Sequence, residues 1–465
     1  MFERLDRFPD AMNFRTPRQL GYRMPAEWEP HQATWIAWPH NRSDWPGKFE
    51  AIPWVYGEIV RYLSRVEDVN IIVAGKKART EAQKILKSSN VNSQRIRFHL
   101  WPTNRVWLRD SGPIFNCRDT PRYRIKDRLA TTNWRFNGWA KYSDWKHDAR
   151  LPELIAAHAE VEQFVPVFPG QRPVRVVLEG GSIDVNGKGL LLTTEECLLS
   201  KIQQRNPGLS RRQLEKIFFD YLGVDKVIWL GRGIAGDDTH GHVDDIARFV
   251  SADTAVAVEE TNRRDPNYRP LQDNLGRLRN NGSKLNIVEL PMPRPIVFKG
   301  RRLPASYANF YIANDLVLVP AFNDPNDRIA LDILAHLFPQ REVVGIYCGD
   351  FIWGLGAIHC MTQQQPAEPA HRKKAARDAI TPPVAEATKQ SVAQSPNRQK
   401  EMNWLARRKD LVECYGGQWI VWEGDQLIAN DVDYLRARQA ATQKGIKRPF
   451  ILFVPGRETG AFMGV

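Results

Sequence analysis

Cys360 and its neighbours form the part of this chain most typical of a reactive site. Gly354, Gly356 and Ala357 precede the thiol, so a ligand or another backbone segment can approach it closely. Small polar residues follow it, whereas an inert buried cysteine is usually surrounded by Leu, Val and Ile. This pattern predicts that Cys360 is a nucleophile that faces a cavity.

The run from residue 239 to 245 could supply groups that assist a thiol. It contains two imidazoles, at His240 and His242, and two carboxylates, at Asp244 and Asp245, within seven residues. If the chain is extended here, His242 and Asp244 lie on one face and can contact the same ligand. An imidazole titrates near neutral pH and can therefore transfer protons.

Two more carboxylates occur beside turn signals. Asp110 follows Trp107 by three residues and precedes a Gly-Pro pair, and Glu179 precedes a Gly-Gly pair. Each could be a surface ion pair or a turn residue if it were judged alone. A thiol, a histidine and three carboxylates, each at an expected loop-like strand end, are better explained as one site.

These motifs also carry a resemblance to a known family. The similar segments lie at residues 20–31, 37–41, 45–48, 178–182, 193–197, 303–310, 321–325 and 353–366. In them the chain resembles the agmatine deiminase family, within the guanidine-modifying enzymes that include the bacterial peptidyl-arginine deiminases. The resemblance covers residues 17–366, about three quarters of the chain.

The resemblance implies hydrolysis of a guanidine to a ureido group and ammonia. Agmatine, which would give N-carbamoylputrescine, is the first candidate substrate. Asp110 and Asp244 would bind the two sides of the guanidinium through paired hydrogen bonds. Cys360 would attack the guanidinium carbon to form a covalent thiouronium, and His242 would transfer the protons.

Three further residues take roles from the same resemblance. Trp107 would pack on the carbon chain of the substrate, and Asn309 would orient the reacting group. Glu179 would lie behind the contact residues or at the amine end of the substrate. We expect neither a cofactor nor a metal ion.

Two positions depart from the agmatine-specific members of that family. Asp245 stands where an Asn is usual, and residues 354–357 read Gly-Leu-Gly-Ala where Gly-Gly-Gly-Asn is usual. These two changes leave undecided which chemical group the substrate carries at the end away from its guanidinium. Arginine, peptidyl-arginine, another guanidine, and amidino transfer therefore remain alternatives.

Two other classes of function are open from the residues. A zinc metallohydrolase could use His240, His242 and Asp244, although position 245 is Asp where the common zinc motif has His. The net charge of +13 could indicate nucleic-acid binding. Residues 367–409, with ten basic and four acidic residues, supply +6 of it. No helix-turn-helix, zinc or RNA-binding motif accompanies this charge, so nucleic acid is not the expected partner.

The elements that must position these residues form a repeat. Helices are predicted near 51–66, 152–162, 210–222, 270–280 and 326–338, and strands near 69–74, 174–178, 226–230, 286–291 and 342–347, with an extra strand at 96–100. Ser210 and Gln213 form a capping box. Such repetition predicts modules around a common centre. The resemblance implies an α/β fold, a five-bladed pseudo-symmetric αβ-propeller of the pentein type with the site on its axis.

The chain is expected to contain three regions. Residues 1–366 would form the catalytic domain, 367–400 a flexible basic linker, and 401–465 a small α/β module of unknown role. In that module we predict a helix to Cys414, a hairpin from Gln418 to Ala429, a helix at 433–444 and a strand from Phe450 to Val454.

Composition and cysteine usage give the expected setting. The 42% hydrophobic content suffices for a core, and no run of eighteen apolar residues could span a membrane. The first residues lack an apolar leader, and five widely spaced cysteines indicate a reducing compartment. We therefore expect a cytoplasmic enzyme whose partner is a small cationic guanidine, with homo-oligomerisation left open.

Overall fold

The computed structural model describes residues 15–119, 125–169 and 173–368, and further on parts of residues 414–454. The contacts between residues divide the chain into two compact units, residues 1–380 and 381–465. In the part of the chain that is described, no helix is both long enough and apolar enough to cross a membrane.

Short strands and helices alternate along the first unit. The helices are α1 (Ile52–Val66), α2 (Lys76–Ser88), α3 (Leu108–Ser111), α4 (Leu151–His158), α5 (Glu195–Leu199), α6 (Arg211–Leu222), α7 (Tyr268–Arg279), α8 (Pro325–Leu337) and α9 (Ile358–Met361). The strands are β1 (His31–Ala37), β2 (Asp68–Val73), β3 (Ile96–Leu100), β4 (Ile114–Cys117), β5 (Leu129–Thr132), β6 (Glu162–Phe164), β7 (Val167–Phe168), β8 (Val174–Arg175), β9 (Asp184–Val185), β10 (Leu190–Thr194), β11 (Lys226–Leu230), β12 (Ala247–Phe249), β13 (Thr254–Glu259), β14 (Asn286–Pro291), β15 (Val297–Phe298), β16 (Arg301–Arg302), β17 (Tyr311–Ala313), β18 (Leu316–Ala321), β19 (Glu342–Tyr347) and β20 (Thr362–Pro366).

One pairing pattern recurs in the mixed sheets of this unit. A middle strand pairs antiparallel with one neighbour and parallel with the other, which it reaches through a helical crossover. The sheets with this pattern have the strand orders β20-β1-β2-β3, β4-β5-β6, β9-β10-β11, β12-β13-β14 and β17-β18-β19. The fold is therefore α/β with mixed sheets.

Helix α1 buries one apolar face. In α1 the buried residues include Ile52, Tyr56, Ile59, Val60 and Leu63, at spacings of three and four. This spacing places them on one side of the helix, where they join the main core cluster.

Most predicted elements are found with small shifts of their ends, but one region differs. The predicted helix 152–162 ends at His158, because Glu160 has a left-handed backbone with φ 52°. Glu162–Phe164 is instead strand β6. The predicted strand 174–178 shrinks to Val174–Arg175, which pairs with β7 and with no other strand among the described residues. The capping box of Ser210 and Gln213 is confirmed.

The second unit contains one antiparallel sheet among its described residues. Its strands are β21 (Gln418–Glu423), β22 (Gln426–Asp431) and β23 (Phe450–Val454), in the order β22-β21-β23. The predicted hairpin and the last strand are both present. The proposed linker 367–400, apart from residues 367 and 368, and most of the two predicted helices lie outside the described residues.

Candidate active site

Cys360 lies in the short helix α9, directly before β20 enters the first sheet. Its side chain is almost fully buried. Asn309 donates a hydrogen bond from Nδ2 to Cys360 Sγ at 3.1 Å, and Asp244 Oδ2 lies 3.7 Å from the same sulfur. Burial, with the charges of Asp244 and Asp110, raises the pKa of the Cys360 thiol well above its usual value. The thiolate therefore needs a cation nearby in order to form.

His242 is fully buried between two carboxylates. Its Nδ1 lies 3.7 Å from Asp110 Oδ1, and its Nε2 lies 3.8 Å from Glu179 Oε2. Neither ring nitrogen has a hydrogen-bond partner among the described residues. Burial lowers the pKa of His242, but Asp110, Cys197 and Glu179 together raise it well above its usual value. The ring is thus poised to hold and release a proton.

Asp110 is held with both oxygens in place at the end of α3. Trp139 Nε1 donates to Oδ2 at 2.8 Å, and the Gly181 amide donates to Oδ1 at 3.0 Å. Burial raises the pKa of Asp110 to about 6, with His242 opposing the shift. A bound guanidinium would stabilise the ionised form.

Glu179 forms a buried ion pair behind His242. Arg205 Nε lies 3.0 Å from Glu179 Oε1, and both side chains are fully buried. Burial raises the pKa of Glu179, but Arg205 and His242 lower it to about 2. Glu179, Cys197 and His242 bring potential metal-ligating atoms within 4.8 Å of one another. The Arg205 guanidinium already supplies the positive charge there, which opposes a metal cation.

Asp244 belongs to a second buried chain of charges. His359 Nδ1 lies 2.7 Å from Asp244 Oδ2, and His359 Nε2 lies 2.8 Å from Glu27 Oε2. Glu27 also pairs with Arg109 and Arg248, at 3.1 Å and 3.0 Å. This chain fixes one oxygen of Asp244 and leaves the other, Oδ1, without a hydrogen-bond partner in the described part of the protein. An unpaired buried carboxylate oxygen is suited to accept from a cationic ligand.

Two glycines allow the elements to meet at the site. A Cβ on Gly181, in the turn Gly180–Ser182, would lie 2.7 Å from His242 Nδ1 and 2.8 Å from Asp110 Oδ1. A Cβ on Gly356 would lie 2.6 Å from the Trp107 ring. Side chains at these positions would therefore push the catalytic candidates apart.

A cavity of about 330 Å³ opens beside these residues. Its inner wall includes Cys360, Asp110, Trp107 and Trp139, and its lining extends to Tyr142, Asp238 and Arg301. The cavity is large enough for a small guanidine, and Asp110, which lines it together with Cys360, can bind a cation.

The expected extended segment with His242 and Asp244 on one face is wrong. Val243–Asp245 is a 3-10 turn that His242 caps, so His242 reaches the site from the start of the turn and Asp244 from within it. His240 points elsewhere, with Nε2 3.2 Å from Ser200 Oγ and Nδ1 4.0 Å from Glu196. The zinc set of His240, His242 and Asp244 is therefore not formed among the described residues.

The other predicted residues come together in one buried cluster, and Cys360, Asp110 and Trp107 of this cluster line the cavity; several of their neighbours are not predicted. Cys360, His242, Asp110, Asp244, Glu179, Trp107 and Asn309 were predicted, and the neighbours that the sequence did not single out are Glu27, Trp139, Arg205 and His359. His359 adjoins Cys360 in sequence, and this adjacency is a local signal that His359 belongs to the site. Glu27 lies in the similar segment 20–31, but nothing in that segment marks it as a site residue, because its partner His359 is 332 positions away.

Comparison with known proteins places this geometry in a family. The model of the Porphyromonas-type peptidyl-arginine deiminase family matches residues 23–366. Agmatine deiminase of Stutzerimonas stutzeri is 34% identical over 76% of this chain and 97% of its own length. Putative agmatine deiminase of Latilactobacillus sakei is 35% identical over 76% of this chain and 98% of its own.

Solved structures agree with the sequence relatives. Agmatine deiminase of Enterococcus faecalis, described as catalysing its reaction, superposes with a TM-score of 0.68 at 31% identity, over 77% of this chain and 99% of that one. A cysteine-to-serine variant of the C. jejuni agmatine deiminase with substrate bound gives a TM-score of 0.65 at 29% identity, over 75% and 97%. Since the family model spans most of the chain and relatives exceed 30% identity over three quarters of it, the chain belongs to the Porphyromonas-type peptidyl-arginine deiminase family.

Proposed function

We propose that this protein is a guanidine deiminase, which hydrolyses a guanidine to a ureido group and ammonia. The observation that carries the proposal is a buried cluster of a thiol, a histidine and two carboxylates, Cys360, His242, Asp110 and Asp244, of which Cys360 and Asp110 line the cavity. Agmatine is the first substrate to test, because the relatives and solved structures are named for it. Its product would be N-carbamoylputrescine.

Binding uses the two carboxylates. The unpaired Oδ1 of Asp244 and the carboxylate of Asp110 accept hydrogen bonds from opposite sides of the planar guanidinium. Trp107 packs on the carbon chain of the substrate. The guanidinium carbon then faces Cys360 Sγ, and its positive charge offsets the carboxylates that raise the pKa of the thiol.

Catalysis proceeds in two steps. The Cys360 thiolate adds to the guanidinium carbon, and the C–N bond breaks as His242 donates a proton to the leaving ammonia. Water then adds to the thiouronium carbon, His242 takes its proton, and the C–S bond breaks to release the ureido product. Asn309, which donates a hydrogen bond to the sulfur, orients the thiol, and the Glu179 carboxylate, 3.8 Å from His242 Nε2, favours the protonated imidazole.

The recurrent sheets support five modules arranged as a pentein propeller around the site. Residues 1–366 form the catalytic domain, and 401–465 are a separate module joined to it by 367–400. A thiol nucleophile works best in a reducing compartment, which supports a cytoplasmic location.

Removal of the thiol tests the proposal. Cys360→Ala and Cys360→Ser should abolish release of ureido product and ammonia from agmatine, arginine, arginyl peptides and methylguanidines, because no other nucleophile is proposed. Replacement of the exposed Cys414 by Ser is the matched control and should retain activity. Chelators should have no effect on the wild-type enzyme. Turnover above a few per cent in either Cys360 variant would contradict the assignment.

A further inference from the structure

His359 is a buried histidine of α9 with a carboxylate at each ring nitrogen. Its Nδ1 lies 2.7 Å from Asp244 Oδ2, and its Nε2 lies 2.8 Å from Glu27 Oε2. The three side chains are at most 4% exposed. The two catalytic steps do not use this histidine, although it directly precedes the nucleophile Cys360 in the chain.

Glu27 is held as an anion by several donors. Arg248 Nη2 and the Ile312 amide lie 3.0 Å and 2.8 Å from Oε1, and Arg109 Nη2 lies 3.1 Å from Oε2. Burial raises the pKa of Glu27, but Arg248, His359 and Arg109 lower it well below its usual value. Because an ionised carboxylate can only accept hydrogen bonds, His359 Nε2 must donate to it.

Asp244, at the other ring nitrogen, is also ionised. Burial raises its pKa, but the hydrogen bond and the charge of His359 lower that pKa overall. Nδ1 must therefore donate as well, so both ring nitrogens carry protons and His359 is an imidazolium. The charged and titratable groups that face Asp244 are His359 and Cys360 of α9, His242 and Asp245 beside it in the chain, Arg248 of β12 and Asp110 of α3.

Asp110 has no such cation in hydrogen-bonding contact among the described residues. Its oxygens accept from the Trp139 indole and the Gly181 amide, which are neutral, and His242 Nδ1 stands 3.7 Å away. Burial raises the pKa of Asp110 to about 6. Asp244 is therefore the stronger acid of the two carboxylates, because a cation contacts it directly.

We propose that His359 is a positioning residue for guanidinium binding: held as an imidazolium by Glu27, it fixes Oδ2 of Asp244 and keeps that carboxylate ionised in the empty site. Asp244 Oδ1, which has no hydrogen-bond partner among the described residues, is then available to the substrate. The inference rests on the proposed deiminase function, because it concerns how the same site binds its guanidinium.

The charge on His359 can be measured without substrate. In wild-type protein labelled with 15N-histidine, nuclear magnetic resonance should show both ring protons on His359 at about pH 8, where a free histidine has lost one. This signal should be absent from His359→Gln. It should remain in His336→Gln, the control, which replaces an exposed histidine of α8. A His359 ring with a single proton would overturn the inference, whether or not the protein acts on any guanidine.

Removal of the imidazolium should change the pH dependence of activity. In His359→Gln the new side chain can still donate a hydrogen bond but carries no charge, so the pKa of Asp244 rises. Protonated Asp244 binds a guanidinium poorly. The acid limb of kcat/KM for agmatine should therefore move to higher pH by about one unit or more. At neutral pH, KM should rise about tenfold with a smaller change in kcat.

Glu27→Gln gives a second variant in which His359 itself is kept. It removes the negative charge at Nε2 and makes the imidazolium less stable, so the acid limb should move in the same direction by a smaller amount. If His359→Gln does not fold, this variant and the resonance measurement on the wild-type protein still test the inference.

A second buried histidine supplies the matched control for the loss of packing. His31 of β1 lies 3.4 Å from a carboxylate oxygen of Glu67 and 2.7 Å from the backbone carbonyl oxygen of Glu27. His31→Gln should lower the free energy of unfolding but leave the acid limb as in the wild type. An unshifted acid limb in both His359→Gln and Glu27→Gln would overturn the inference. Failure of the wild-type protein to release ureido product from any guanidine would instead overturn the proposed function, and the resonance measurement would still decide the charge of His359.

Discussion

Asp244 and Asp245 are adjacent in sequence, but their surroundings favour opposite protonation states. Burial raises the pKa of Asp244, but the bond from His359 outweighs it and lowers that pKa overall. Burial and the charges of Asp244 and Asp237 raise the pKa of Asp245 well above its usual value. A neutral carboxylic acid has nearly the shape of a carboxamide. Asp245 can therefore take the place of the Asn that is usual in agmatine-specific relatives.

The two positions should thus respond differently to the same substitution. Asp244→Asn should lower kcat/KM by about 100-fold or more, because it removes a buried negative charge from the guanidinium site. Asp245→Asn should stay within about threefold of wild type, since the neutral acid is replaced by its near-isostere. Steady-state kinetics on agmatine checks both. Equal losses would show that Asp245 is ionised in the working enzyme.

The raised pKa of Cys360 predicts the reactivity of the enzyme without substrate. Only the thiolate is alkylated, so the rate with iodoacetamide should rise roughly tenfold per pH unit while pH stays below the pKa of the thiol. Asp244→Asn removes a nearby negative charge, lowers the pKa of the thiol and should speed alkylation at neutral pH. Mass spectrometry can follow Cys360 separately from Cys414, which is exposed. A rate at Cys360 that does not change with pH would contradict this account.

The sequence identifies the reactive groups better than it identifies the charged residues that hold them in place. Cys360, His242 and Asp110 stand out because thiol, imidazole and carboxylate lie beside glycines and turns. Glu27 and Arg205 are ordinary charged residues in the sequence, and their partners lie far away along the chain. Their importance arises only from burial, which the folded arrangement creates.

At the scale of elements, the site depends on how closely α3 approaches the turn Gly180–Ser182. A Cβ on Gly180 would lie 2.3 Å from the carbonyl oxygen of Arg109, and one on Gly181 would contact His242 and Asp110. The backbone of this turn therefore fills the space that a side chain would need. The Gly-Gly pair was visible in the sequence, but only as a turn signal.

Gly181→Ala should reduce activity much more than stability. Displacement of His242 and Asp110 by part of an ångström to one ångström should lower kcat/KM by about 100-fold. Gly276→Ala is the matched control, because a Cβ on this glycine of α7 would have no atom of the described residues within 4 Å. That variant should keep full activity and gain about 0.4–1 kcal/mol in the free energy of unfolding. Steady-state kinetics measures kcat/KM of the two variants, and denaturant unfolding measures their free energies of unfolding. Unchanged activity in Gly181→Ala would mean that the site tolerates a wider separation between this turn and the side chains of His242 and Asp110.

Helix and strand predictions succeeded where the apolar pattern was long and failed where elements were short. The predicted helix 51–66 corresponds to Ile52–Val66, and the predicted strand 226–230 to Lys226–Leu230. Strand β6 was missed because its three residues, Glu162–Phe164, are mostly polar. It gains its structure by pairing with β5, a contact that the local pattern does not record.

At the scale of the whole molecule, the two ends of the matched region meet in one sheet. Strand β20 pairs antiparallel with β1, which is more than 300 residues earlier in the chain. Arg109 donates to Gln364 Oε1 at 2.7 Å, and Trp35 donates to Gln365 Oε1 at 2.9 Å. All five residues of β20 are buried. The closing strand therefore also holds α9 and Cys360 in place.

This closure predicts where the chain can be shortened. A protein that ends at residue 370 keeps β20 and every proposed catalytic residue, so it should fold and keep an unchanged kcat. One that ends at residue 361 keeps Cys360 but loses β20, and it should lose both the cooperative unfolding transition and the activity, because β1 is left as an open, buried edge. Thermal unfolding by circular dichroism and the ammonia assay distinguish the two. If the protein that ends at residue 370 folds but is inactive, the segment 401–465 completes or gates the site, and the proposed division into domains is wrong.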